Sequence, residues 1–155
     1  MSFCVVGLDP APFEHLVGLP DAALKALGAT RIIVDAKPGF PDRVTVRDLE
    51  IGETAILLNY EHQPAQTAYR SRHAIFVGEG LGQALDLVDR LPDAILSRQI
   101  SLRAFSASGE MLDAELADGS FLEPIISRFL ADPGVAYLHA YYAKRGCYAA
   151  RIERC

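Results

Sequence analysis

The sequence predicts an α+β fold: a single domain over residues 1–155, built on a mainly antiparallel sheet with two or three packed helices. Three observations carry this. β-Branched or alternating runs of strand length outnumber helical ones. Successive strand runs are joined by short turns, which antiparallel pairing allows and parallel pairing does not. One segment, near residue 122, has the apolar spacing of an amphipathic helix.

In chain order, FCVVGL (3–8) reads as a first strand, ended by Asp9-Pro10. PDAALKALG (20–28) reads as a short helix that Gly28 stops, because glycine enters the left-handed C′ conformation without a Cβ penalty. TRIIVDA (30–36) is a β-branched strand and KPGFPD (37–42) a loop. RVTVRDL (43–49) and ETAILLNYE (53–61) read as strands about a turn at Glu50–Gly52. HQPAQTAYRSR (62–72) is a polar connection, and HAIFVGE (73–79) the next strand. LGQALDLVDRL (81–91) has helical apolar spacing, with Pro92 as its end. QISLRAF (99–105) and EMLDAEL (110–116) alternate in period two around Ser106–Gly109, a hairpin signal. Ser120-x-x-Glu123 has the form of a capping box. The helix it opens carries Leu122, Ile125, Ile126, Phe129 and Leu130 on one face and stops at Asp132-Pro133-Gly134.

VAYLHAYYA (135–143) and CYAARIE (147–153) form a closing hairpin. A three-residue turn, Lys144-Arg145-Gly146, puts glycine at the left-handed position. The register is then Ala143 with Cys147, Tyr141 with Ala149, His139 with Arg151 and Tyr137 with Glu153. Leu138, Ala140, Tyr142, Tyr148, Ala150 and Ile152 share the opposite, core-facing side. His139 falls about 14 Å along the strand from Cys147, far beyond the ~3 Å of a nucleophile–base pair.

Half of the residues are hydrophobic and 23% are charged, the composition of a folded domain and not of a disordered chain. The net charge of −5 argues against nucleic acid as a partner. No apolar run approaches the ~18 residues of a membrane span. The three cysteines, Cys4, Cys147 and Cys155, are odd in number and irregular in spacing, so no disulfide framework is expected. The N-terminus lacks a basic leader, and a reducing, cytoplasmic setting follows. Histidines and cysteines are scattered without metal-ligand spacing, so neither a metal nor a cofactor is expected. GEGLGQAL follows a strand but has G-x-G-x-G spacing, not the dinucleotide pattern.

Candidate ligand-binding residues come from two regions and one strand. NYEHQPAQTAYRSRH supplies Tyr60, His62, Arg72 and His73 at strand ends and along a polar connection. The closing hairpin supplies His139, Cys147 and Arg151. Arg103 projects from its strand, with Asp113 and Glu115 on the neighbouring strand as bland partners. Arginine suits carboxylate or phosphate through its planar fork; tyrosine and histidine would orient a bound group or move a proton.

PDRVTVRDLEIGETAILLNYEHQPAQTAYRSRHAIFV, LPDAILSRQISLRAFSASGEMLDAELADG and GVAYLHAYYAKRGCYAARIER together resemble the bacterial family known as domain of unknown function 1203. The resemblance brings no assigned activity, substrate or cofactor. Its pattern has a proline-cysteine-arginine where this chain has Pro41-Asp42-Arg43, and a histidine-asparagine where it has Tyr141-Tyr142, while Cys147 matches. A chemistry built on two cysteines would be incomplete here.

Three readings stay open. The favoured one is a cytoplasmic protein, enzyme or not, that binds a small anionic molecule in a Tyr/His/Arg-lined pocket. The second is a non-catalytic module that self-associates, as a homodimer, through tyrosines such as Tyr137 and Tyr141. The third is a cysteine-dependent enzyme using Cys147 with a histidine from another strand.

Overall fold

A computed structural model describes all of residues 1–155. The chain runs β1 (Phe3–Val6), α1 (Asp21–Ala26), β2 (Thr30–Ile33), β3 (Thr54–Gln63), β4 (Ser71–Gly78), β5 (Asp86–Val88), α2 (Asp93–Leu96), β6 (Gln99–Phe105), β7 (Met111–Asp118), α3 (Leu122–Ala131), β8 (Tyr137–Tyr142) and β9 (Cys147–Arg154), with short 3-10 turns at Ala11–Leu16 and Gly119–Phe121. The strands form two antiparallel sheets, β5-β1-β9-β8-β6-β7 and β2-β3-β4. The structure is thus mostly antiparallel sheet with a few short helices.

Period-two alternation decides what each face of the larger sheet meets. Ile100, Leu102 and Ala104 of β6, Leu138 and Ala140 of β8 and Ala150 and Ile152 of β9 form one core with Leu122, Ile126, Phe129 and Leu130 of α3. The alternate residues Phe105, Tyr137, His139 and Tyr141 turn the other way, and His62 of β3 packs among them. The smaller sheet has its own core, in which Ile56, Ile75 and Val77 pack with Phe13, Leu16 and Leu24. No helix is long and apolar enough to cross a membrane.

The structure corrects several expectations. Residues 81–91 hold no helix: Asp86–Val88 pair with β1, and Leu81 and Asp89 have positive φ. Leu85 and Leu87 pack on the core at strand spacing, and two-residue alternation wins over an equally legible helical one. The glycine segment before them therefore opens no helix, and a dinucleotide motif has no structural context there. Residues 43–49 are not a strand but a tight loop, with Val46 at φ 50°. The Asp42 carboxylate organises it by accepting hydrogen bonds from the Thr45 and Gly78 backbone N–H groups, both at 2.9 Å. Ser120 makes no cap: α3 is entered through a 3-10 turn, without a side-chain cap bond.

The hairpin register holds at His139–Arg151, but Ala149 is bulged out, so Tyr141 faces Tyr148 and Tyr142 faces Cys147. The turn has four residues, Ala143–Gly146. One extra residue reverses the faces beyond it. Tyr148 therefore joins the tyrosines of β8 and not the α3 core. The cysteine reading is also corrected: Cys4 and Cys155 form a disulfide with Cα atoms 5.4 Å apart, leaving Cys147 free. Antiparallel pairing of β1 on β9, Phe3 opposite Arg154, brings the two together. The expected reducing, cytoplasmic setting thereby loses the part of its support that came from the cysteines.

Candidate functional site

The sequence-predicted residues fall into three places. His62, Arg103, His139 and Arg151 meet in an aromatic seam between the two sheets. The His62 ring stacks on Tyr148 at 5.3 Å between centroids, and His139 lies 5.0 Å from the same ring. Arg103 covers the Tyr141 ring at 3.8 Å and Arg151 covers Tyr137 at 4.0 Å. Arg103 thus turns from Asp113 and Glu115, its expected partners, toward the tyrosines. The seam is closed, since His139, Tyr141 and Tyr148 are all buried. The tyrosines read as a surface for self-association are inside this chain.

Burial sets the protonation of the seam. Loss of water holds His62 down to about 4 and His139 down to about 3, with the positive charge of Arg103 acting in the same direction on both. Both rings are neutral near pH 7. Neither ring nitrogen of His62 reaches a hydrogen-bond partner; the Tyr60 carbonyl is close enough to oppose its shift without meeting hydrogen-bond geometry.

Tyr60, Arg72 and His73 lie elsewhere. Tyr60 packs on Phe13 in the core of the smaller sheet. Arg72 donates to Asn59 and His73 is exposed, both on strands and not in a loop. The polar connection is shorter than expected, because β3 runs on to Gln63 and β4 starts at Ser71.

Cys147 lies apart from His62. Tyr148, which stacks on His62, points to the seam, while Cys147 belongs to the core on the other face. Its hydrogen-bond partner is an arginine and not a histidine: Arg43 Nη2 donates to Cys147 Sγ at 3.0 Å. Arg43 is 1% exposed. Its Nε donates to the Tyr148 carbonyl at 2.6 Å, and Nη1 donates to the Pro41 carbonyl. No carboxylate pairs with it, and burial pushes its pKa below the ordinary arginine value. The loop that Asp42 folds is what aims Arg43 inward.

A second arginine, Arg98, enters from the end of α2 and forms a two-pronged pair with Asp48 at 2.6 and 2.9 Å. Both guanidinium groups face the Tyr142 ring, Arg43 at 5.0 Å and Arg98 at 4.9 Å. The Tyr142 hydroxyl is buried without a hydrogen-bond partner, and burial raises its pKa to about 12, so it stays a donor. Arg43, Arg98, Tyr142 and Cys147 line a cavity of about 590 Å³, with Lys144 and Arg145 of the hairpin turn at its rim. Chemically this is a cationic cavity holding one thiol and one phenol. No cluster of three or more His, Cys, Asp or Glu side chains is placed to hold a metal.

Of this set, the sequence marks Cys147 as a ligand-binding candidate and leaves Arg43 and Tyr142 unmarked. Arg43 was hidden because RVTVRDL alternates like an exposed strand. The available signal was Asp42 three residues before Thr45, a spacing at which an aspartate side chain folds the backbone into a turn.

No curated protein and no solved structure matches this chain. One family model does, over residues 39–154, a span that holds Arg43, Arg98, Tyr142 and Cys147 and excludes both disulfide cysteines. The chain belongs to the family described as protein of unknown function, DUF1203.

Proposed function

We propose that the chain binds a small anionic molecule in the cavity beneath the closing hairpin. Arg43 and Arg98 are its charge partners, Tyr142 is a hydrogen-bond donor and Cys147 lies beside it. The observation that carries this reading is Arg43. A buried guanidinium with no carboxylate costs several kcal/mol in an empty site. It has five N–H groups, and the carbonyls and sulfur around it engage three of its nitrogens without neutralising its charge. An anion would supply the missing charge and pair the Tyr142 hydroxyl. Lys144 and Arg145, exposed at the rim, would attract it in a chain whose net charge is −5.

This keeps the ligand class expected from the sequence and moves its place. In this reading Tyr60, His62, Arg72, His73, Arg103, His139 and Arg151 are not contacts of the ligand. The test is a thermal-shift series with phosphate, sulfate and di- and tricarboxylates against chloride at matched ionic strength. A saturable rise for one anion class, abolished in Arg43→Met, is expected. Equal shifts for every salt, in the wild type and the variant alike, would defeat the reading.

A further inference from the structure

Resting on that anion site, we infer that Cys147 is a site of reversible thiol–disulfide exchange, and that its substrates are small disulfides carrying carboxylates. Four observations converge. Cys147 Sγ is the acceptor of a guanidinium N–H, a donor placed to stabilise negative charge on sulfur during the exchange step itself. Cys147 is the free cysteine, since the other two are bonded to each other. Tyr142, nine-tenths buried and with its hydroxyl unpartnered, lines the same cavity. A volume of about 590 Å³ exceeds what an inorganic anion fills and suits a molecule of drug-like size.

The chemistry is narrowed by what the sulfur lacks. Acyl transfer needs a base to activate water and return a proton, and the buried histidines sit in the seam on the other face of the hairpin. Exchange at sulfur needs only a thiolate and a stabilised leaving group. The Cys147 proton goes to solvent. Sγ attacks one sulfur of the bound disulfide, an Sγ–S bond forms, and the disulfide's own S–S bond breaks. The departing sulfur leaves with the electron pair as a thiolate, beside Arg43, and takes a proton from water. Cys147 is oxidised, the leaving thiol is reduced, and no further oxidant is required. A second thiol of the same class reverses the step.

The experiment uses the intact chain with Cys4–Cys155 oxidised. Three probes are offered: glutathione disulfide as the anionic one, hydroxyethyl disulfide as the neutral one and cystamine as the cationic one. Adduct on Cys147 is followed by intact and peptide mass spectrometry. Each rate is divided by that of the same chain unfolded in urea, which cancels intrinsic probe reactivity. The expected normalised rate is at least tenfold higher for the anionic probe than for the cationic one. Lys144→Glu/Arg145→Glu, exposed substitutions that leave the core intact, should erase most of that preference. Equal normalised rates for all three probes, or no adduct at all, would overturn the inference. If the anion-dependent thermal shift persists in that case, the anion site stands and only the exchange chemistry falls. If the thermal shift is absent too, both fall.

Discussion

Arg43 and Arg98 carry the same charge in one cavity but should answer mutation differently. Removing Arg98 strands Asp48, whose side chain is only 10% exposed, and should cost about 3 kcal/mol. Removing Arg43 strands two carbonyls, at about 1–3 kcal/mol each, but also lifts the desolvation of a charge with no counter-ion. Arg43→Met should therefore change stability by less than about 2 kcal/mol, measured by urea unfolding without added anion, while abolishing the anion response. His62 offers a second contrast. Its folded pKa of about 4 and that of His139, about 3, lie below the ordinary 6.5. The unfolded chain therefore binds more protons as pH falls, and stability, complete above about 6.5, is lost downward from there. The slope is at most about 1.4 kcal/mol per pH unit for each histidine. Glu53 and Glu79, held at about 2 by Arg47 and Arg31, add their loss only below about 4.5, so the window from 6.5 to 4.5 belongs to the histidines. His62→Phe removes two unpaired ring nitrogens. It should leave stability at pH 7 unchanged or up to about 1 kcal/mol higher, and roughly halve the slope in that window. Unfolding at pH 7 and pH 5 would show both effects.

Elements were legible where one alternation was unopposed. The hairpin of β6 and β7 and that of β8 and β9 follow from period-two patterns around turn residues, and α3 follows from its apolar face. Residues 81–91 satisfied two periods at once, and pairing with β1 chose between them. The Ala149 bulge left no mark in the sequence, yet it decides that Tyr148 faces the seam and Cys147 the cavity. Two glycines hold element junctions by close approach. A Cβ on Gly7 would stand 1.9 Å from the Val44 carbonyl oxygen, and one on Gly119 1.9 Å from that of Ile95. Backbone cannot yield as a side chain can, so Gly7→Ala and Gly119→Ala should each cost about 3 kcal/mol or more. Gly80→Ala, where a Cβ meets nothing within 4 Å, should be near neutral. Chemical denaturation of the three variants checks this.

At the scale of the molecule, the order β5-β1-β9-β8-β6-β7 places the first and last strands side by side, and no local signal encodes that. The disulfide rides on this pairing. It closes nearly the whole chain, with a sequence separation of 151. Loops of that length give up to roughly 5 kcal/mol in the chain-entropy account, and commonly 2–4. Cys4→Ser should lower stability by that amount while leaving the anion response intact, because Cys4 and Cys155 lie outside the residues that line the cavity. The cavity itself is a product of four distant segments: the Asp42 loop, Phe76 of β4, the end of α2 and the tip of the closing hairpin. Arg43 sat unmarked within an expected strand, and no local signal encodes its convergence with Arg98. The direct test is a crystal soaked with selenate and measured at the selenium edge. Anomalous density within hydrogen-bonding reach of Arg43 and the Tyr142 hydroxyl is the predicted result. Density confined to surface arginines such as Arg72, with the cavity empty at saturating selenate, would contradict it.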